Sequence, residues 1–568
     1  MSQRRSALAG AVLGLAVAAS SVTARAGDWT PDSSFSNPQL HQRLYRIGRT
    51  YLETNFDPAA NLVGTSSKHP PNTKSHAVRE SAYYAFGLLL TGDTADRDLA
   101  QKVLRQVFKA QDKSNNLQVR GAFNWYFEVG PPEDLNSAAF VGSALADIAN
   151  LDRQKPCLDD DVRQQLNEAG KLAVEAIMHR DVQAGYTNIA QLSTGVAAAG
   201  AKLWNVPGAG DWASKKLDAI LALAGDSEYA EYLSPTYYAV SIGGAYAQQK
   251  YAFSAEFSAK AEKNINHLWQ CVAASYHAPT FNLAGPYVRA YGDNMLDYAA
   301  GLKYDLYLAL DGNYPLVDVE KDHAWDSGGV VLLAALPITP RAEFQQPIEK
   351  WREFKVTNDP PNPVRTLRQY KDDRFTLGTV AYQDEWKQKR NLVSFWRTDG
   401  ANANDFRIGY CIDESNESMS AGVPPDRIHF WSTQHEREAL VALSASTVVP
   451  GVPGVSMLAC AKDAKVTVAS DGGPTHIEDG SMIGYLYPIA NGPVQYKVES
   501  DTHGVRVTRG WPTADAVGDL RVMSYLLVFR RADEAEPKVS NQSLSADAKG
   551  GHLSVEVDGT KLSLDFPN

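Results

Sequence analysis

The sequence predicts an α+β multidomain chain, helical through its first two thirds and built of antiparallel strands thereafter. Three observations predict it. Apolar residues recur at helical spacing from about Asn37 to Leu336. Prolines then crowd the stretch up to Leu367. Beyond it, short alternating apolar runs separated by glycine and aspartate turns take over.

Residues 1–26 have the order of a cleavable export signal. Arg4 and Arg5 precede the apolar run Ala7 to Ala19, and Ala24, Arg25 and Ala26 offer a cut after Ala26. The apolar run is short for a membrane span, and the arginine pair leaves both the general and the twin-arginine routes open. An exported protein, periplasmic or secreted and free of the membrane after cleavage, is expected. Losing the three arginines of this segment moves the formal charge from -11 to -14. That balance argues against nucleic acid as a partner. It also requires a locally basic cleft if the substrate is an anionic polymer.

Residues 27–340 read as the helical domain. Leu40, Leu44, Ile47 and Leu52 mark one amphipathic helix, and Phe140, Val141, Leu145 and Ile148 another. Val162, Leu166, Leu172, Ile177 and Met178 mark a third; Trp212, Leu217, Ile220 and Leu221 a fourth. Clusters such as Gly130 to Asp134 and Val206 to Gly210 separate them. Periodicity leaves a bundle, a solenoid and a closed toroid equally open. Residues 341–366, bordered and interrupted by Pro337, Pro340, Pro347, Pro360, Pro361 and Pro363, read as a linker. Residues 367–568 carry strand signals at Val466 to Val468, Val505 to Val507, Val522 to Phe529, Leu553 to Val557 and Leu562 to Phe566, which suggest an antiparallel β-sandwich. Cys157, Cys271, Cys411 and Cys460 permit two disulfides without establishing either. With no CxxC pair and no HExxH helix, a zinc site is not expected, and a structural metal is left open.

Three tyrosine-rich segments carry the candidate chemistry: Gly185 to Asn188, Ser234 to Tyr238, and Gly285 to Gly292. They offer phenols, an amide and a guanidinium, a set suited to removing a proton next to a sugar carboxylate. Tyrosine acts as base or acid when a neighbouring cation lowers its pKa. Asparagine hydrogen-bonds a carboxylate and stabilises an enolate-like state.

In this order the three segments resemble the toroid-plus-sandwich polysaccharide lyases, the group of alginate, glucuronan, chondroitin and heparin lyases. Arg374 to Thr379 and Gln388 to Trp396 resemble the opening of their β domain. The resemblance implies an (α/α) toroid with a cleft across it and an antiparallel β-sandwich behind. It implies β-elimination at a uronic acid of an anionic polysaccharide or oligosaccharide, with no cofactor required. Asn188 would neutralise the carboxylate, unless it only caps its helix. Tyr238 is the preferred base, with Tyr237 as a substrate-binding neighbour; adjacent residues at a helix start point different ways. Arg289 would bind the uronate and lower a phenol pKa. Tyr291 is the preferred acid, with Tyr287 in reserve. Several of these lyases carry a histidine base between the asparagine and the tyrosine. None lies between Asn188 and Tyr238, so His76 is the candidate to supply it. Asn124 and Trp125, within Phe123 to Tyr126, suit a sugar platform or a buried aromatic knot. His429, Trp431 and His435 suit either the cleft or a sheet edge.

Two rival readings stand beside this one. A toroid glycoside hydrolase would need paired carboxylates, for which Glu128, Glu133, Asp134, Glu228 and Glu231 are candidates. A glycan-binding protein without catalysis would keep only the aromatic cleft. The polymer, endo or exo action, and the oligomeric state are left open.

Overall fold

A computed structural model describes residues 27–567, apart from 66–73, 131, 133, 292–300, 317–323, 359–363, 385–387, 398–402, 411–427, 446–454, 460–464, 469–472, 479–480, 490–495, 502–503, 510–515, 518–519 and 548–549. The export signal expected at 1–26 lies outside the described residues, as do Cys411, Cys460 and Glu133. Cys157 and Cys271 are both free thiols, so the helical half has no disulfide between them.

The described helices are α1 (Pro38–Thr54), α2 (Val78–Thr91), α3 (Thr94–Lys109), α4 (Ser137–Gln154), α5 (Asp160–Arg180), α6 (Thr187–Trp204), α7 (Ala209–Ala224), α8 (Pro235–Lys250), α9 (Ala255–Ser275), α10 (Leu302–Ala309) and α11 (Val330–Ala334). Their packing forms two concentric layers. Helices α2, α4, α6, α8 and α10 each touch the next, and α1 with α11 bridges α10 back to α2. Outside them, α3, α5, α7 and α9 each lie against the inner helix that precedes them. This closed ring is an (α/α) toroid.

Side-chain chemistry sorts the layers. Every residue of α6 from Thr187 to Gly200 is buried, as an inner helix demands. Outer helix α5 buries one face only, through Val162, Leu166, Ala169, Ala173 and Ile177. Inner helices approach closely where side chains vanish. A methyl group on Gly244 of α8 would sit 2.7 Å from the backbone of Gln191 and Leu192 in α6. A small three-stranded sheet (Phe56–Asp57, Leu62–Thr65, Ser75–Ala77), not expected from the sequence, sits beside α2.

The second half is a β-sandwich of two eight-stranded antiparallel sheets. One includes Trp351–Val356, Arg365–Lys371, Phe375–Val380 and Leu392–Arg397; the other centres on Leu520–Arg531, paired with Glu438–Ala445 and Met482–Ile489. Phe375 of the first meets Phe529 of the second at 4.8 Å between ring centroids. A third sheet (Val539–Asp547, Gly550–Val557, Thr560–Pro567) covers the outer face of the second, packing Leu553, Val555 and Leu564 on Leu440, Leu526 and Val528. Burial on both faces explains why Val522 to Phe529 reads as a near-continuous apolar run. The strand Trp351–Val356 falls within 341–366, the stretch read from its prolines as a linker. Among the described residues, no helix is long and apolar enough to cross a membrane.

Candidate active site

The extended segment Gly285 to Tyr291 joins the halves. Tyr287 and Arg390 exchange backbone hydrogen bonds of 2.9 and 2.8 Å, and the Ala290 N–H donates to the carbonyl of Gln388 at 2.7 Å. The β-sandwich thus holds the segment carrying Arg289 and Tyr291. At the head of α8, the hydroxyl of Ser234 donates to the Arg289 carbonyl at 2.8 Å and caps the N–H of Tyr237. Two segments 54 residues apart in sequence therefore present their tyrosines together.

The phenols of Tyr237 and Tyr291 hydrogen-bond each other. Arg289 lies against both: its guanidinium carbon is 4.1 Å from the Tyr237 ring centroid, and Nη2 donates to the Tyr291 hydroxyl at 3.3 Å. Gln388 of the β-sandwich accepts from Arg289 Nε at 2.9 Å. Behind them Glu231 accepts from Arg289 Nη1 at 3.3 Å, from the Asn188 backbone N–H at 2.7 Å and from Asn188 Nδ2 at 2.5 Å. Burial pushes the Glu231 carboxyl up, against the pull of the Asn188 N–H and Arg289. Burial also pushes the Tyr237 phenol up, with Arg289 opposing.

Tyr237, Tyr291 and Asn188 border a cavity of about 330 Å³ inside the ring of inner helices, lined also by Arg79, Trp125, Asn136 and Tyr186 among others. Asn188, in the first turn of α6, is buried, and its Oδ1 has no partner among the described residues. Trp125 lies on the wall, with the Arg79 guanidinium 5.4 Å from its ring and 5.4 Å from that of Phe140. Asn124 is not on that wall; its side chain packs beside Gly130.

Several expectations are corrected. Tyr238 does not border the cavity. It is 1% exposed and its hydroxyl donates to buried Glu228, which also accepts from Arg352 of the β-sandwich at 3.1 Å. One helical step turns it outward, so Tyr237 takes the cavity face. Tyr287 packs at the domain junction, its hydroxyl bonded to the Leu283 carbonyl at 2.7 Å and its ring near Phe395. His76 is away from the cavity, with Nδ1 2.5 Å from Glu128 and Nε2 3.2 Å from Asp57, so both ring nitrogens face carboxylates. Arg289 sits behind the phenols; the guanidinium that borders the cavity is that of Arg79, from the segment read only for its histidine. The expected basic cleft is also absent from this cavity. Among the described lining residues, Asp134, Asp147 and Asp305 face two cations, Arg79 and Lys250, and Lys250 is bound to Asp147 at 2.6 Å. His429 pairs with Asp384 at 2.9 Å and Trp431 stacks with Tyr382 at a sheet edge. Among the described residues, no three His, Cys, Asp or Glu side chains gather as a metal site would need.

The model of a family described as a domain of unknown function, DUF8769, matches residues 42–334, and the chain belongs to that family. No curated protein matches the sequence. Among solved structures the chain is similar to heparinase III, with a TM-score of 0.48 and 10% identity over 96% of this chain and 94% of that one. It is similar to a chondroitin AC lyase of Streptomyces coelicolor A3 solved with chondroitin sulphate, with a TM-score of 0.45 and 11% identity over 92% and 84% of the two chains. It is also similar to a heparan sulfate lyase of Pedobacter heparinus, with a TM-score of 0.36 and 9% identity over 96% and 92%.

Proposed function

We propose that the protein is an exported polysaccharide lyase that cleaves a uronate-containing glycan by β-elimination. The observation that carries this reading is the hydrogen-bonded pair Tyr237–Tyr291 on the cavity wall, with the fixed charge of Arg289 against both phenols. Such a pair can share one proton between two oxygens while the guanidinium balances the negative charge. The amino-terminal order of basic, apolar and small residues supports export.

In the proposed reaction Arg79, which is paired with Glu80 in the resting protein, and the remaining side-chain N–H of Asn188, whose other N–H donates to Glu231, both on the cavity lining, hold the uronate carboxylate and stabilise the charge that develops on it. Tyr291, the member of that proton-sharing pair hydrogen-bonded by Arg289, acts as base and takes the C5 proton. The C5 electron pair forms the C4–C5 double bond as the C4–O4 bond breaks. Tyr237, which burial keeps protonated, gives its proton to O4. The proton gained by Tyr291 then passes to Tyr237 along their hydrogen bond, restoring the pair. No cofactor is needed for these steps. This assignment moves the base from Tyr238 and gives Tyr291 the base role in place of the acid.

The test is a panel of uronate polymers, followed by ultraviolet absorbance and by reducing ends. Both signals rising supports elimination. Reducing ends without the absorbing double bond would assign hydrolysis, and binding without either would assign a glycan receptor. Tyr237→Phe and Tyr291→Phe are each expected to lower kcat by about 10²–10⁴-fold. A substrate whose O4 leaving group needs no protonation should restore turnover to the Tyr237 variant and not to the Tyr291 variant. Equal restoration of both would reject Tyr291 as base and Tyr237 as acid.

A further inference from the structure

Asp305 borders the same cavity from α10, yet no proton transfer above employs it. It is 1% exposed, and neither carboxyl oxygen has a hydrogen-bond partner among the described residues. An unpartnered polar group in the interior costs stability, so its retention asks for a reason. Burial pushes its pKa well above the carboxylate range. Burial thus favours its neutral form, which has one O–H donor and acceptor oxygens left over.

Its depth follows from the packing of α10 on α8. Gly301, at the head of α10, lies against Ala239. Asp305, four residues on, lies within electrostatic reach of Tyr246, further along α8. The two helices thus run the same way, and Asp305 lies near the level of Gly243. Gly243 is six residues beyond Tyr237 on α8, about 9 Å further along the ring axis at 1.5 Å per residue. Val240 and Gly243 line the cavity there, and a methyl group on Gly243 would meet nothing within 4 Å.

We propose that Asp305 recognises an uncharged, hydroxyl-bearing sugar next to the uronate, so that the substrate alternates uronate with neutral sugar and is not a uronate homopolymer. The inference rests on the lyase reading and names its substrate class. Vicinal hydroxyls each donate and accept, and they match the donor and acceptor of a neutral carboxyl group. A second uronate at this depth would meet a carboxyl group and, among the described lining residues, no available cation. Arg79 stands near the start of α2, and Lys250 is held by Asp147.

The experiment compares wild type, Asp305→Asn and Asp305→Leu on unsulfated chondroitin and hyaluronan, which alternate, and on alginate and glucuronan, which do not. Wild type is expected to favour the alternating polymers in kcat/KM by about tenfold or more, the factor that one well-made hydrogen-bonding contact supplies. Asp305→Leu is expected to melt higher by about 2 °C or more, because an unpartnered group has gone. Its kcat/KM on the alternating polymers should fall about tenfold, through KM, with Asp305→Asn between the two. A wild-type preference for the homopolymers, an unchanged kcat/KM in the leucine variant, or a lower melting temperature for it would each overturn the proposal. If wild type forms the absorbing product from no polymer, the lyase reading fails instead. Calorimetric titration with a chondroitin tetrasaccharide then decides: tighter binding to wild type than to Asp305→Leu keeps Asp305 as a glycan-recognising group, and equal or absent binding removes it.

Discussion

Tyr237 and Tyr238 are adjacent in sequence and face opposite environments. One shares a hydrogen bond with Tyr291 on the cavity wall; the other is sealed against Glu228. Phenylalanine at 238 should therefore cost stability and spare turnover. It removes a donor from a fully buried carboxylate, at about 1–3 kcal/mol by denaturant titration, while kcat stays within about threefold of wild type, far inside the span that a missing acid or base produces. A kcat loss in Tyr238→Phe as deep as in Tyr237→Phe would return the sequence assignment to favour. At this scale the sequence named segments that come together in the fold but not the direction of their individual side chains. Asn188, Arg289 and Tyr291 are recognisable as polar groups at helix ends and in an aromatic loop; Asn188 and Arg289 both bind Glu231, and Arg289 binds Tyr291. Their orientation depends on one 100° step of a helix, which a single sequence does not reveal. Glu231 looked like one scattered acid among several, because its partners lie 43 and 58 residues away. Arg79 was passed over because two of the rings around it, Trp125 and Phe140, lie more than 40 residues away in sequence.

Helix α8 carries two glycines in succession with opposite duties. Gly244 faces α6, where an added methyl group would press on the backbone of Gln191 and Leu192; Gly243 faces open cavity. Gly244→Ala is expected to destabilise by about 1–3 kcal/mol, the usual cost of overpacking. Gly243→Ala should stabilise by up to about 1 kcal/mol, since alanine is the better helix former and nothing stands in its way. It should lower kcat/KM as well, because it narrows the cavity. Urea midpoints that move the same way for both variants would contradict the assigned faces. Individual helices were legible because apolar spacing reports one face of one element: the Val162 and Leu166 series marks α5, and the Leu40 and Leu44 series marks α1. Ring closure was legible only through the resemblance of the tyrosine-rich segments, since periodicity says nothing about which helix lies beside which. The strand Trp351–Val356 was lost to its prolines. They flank it rather than interrupt it, and its alternating exposed and half-buried residues are those of a sheet edge.

The order of a helical half followed by a β half is legible as a change in period along the chain, but the junction that makes one molecule of them is not. Its bonds join distant residues: Arg352 to Glu228, Gln369 to the carbonyl of Ala284, and His277 to the carbonyl of Asp372. His277 turns that junction into a pH-dependent one. It is fully buried, its Nε2–H donates to Asp372 at 2.9 Å, and Nδ1 accepts from Thr280 at 2.9 Å, so the neutral ring satisfies both partners. Burial pulls its pKa from 6.5 to about 4. Between those values the unfolded chain binds a proton that the folded chain refuses. Stability from this group is therefore complete above about pH 6.5 and is lost as pH falls towards 4, by about 3 kcal/mol in all. Asp305 acts with the opposite sign. Its raised pKa contributes stability in acid, and that stability is lost as pH rises above the ordinary carboxylate value of 3.8. The wild-type profile alone would blend the two, so the informative quantity is the stability of wild type minus that of His277→Gln, whose amide can keep one donor and one acceptor. That difference should fall by about 3 kcal/mol between pH 6.5 and pH 4 in denaturant titrations. Parallel profiles for the two proteins would show that the imidazole titrates alike in folded and unfolded chains, and that the junction around it is open to water.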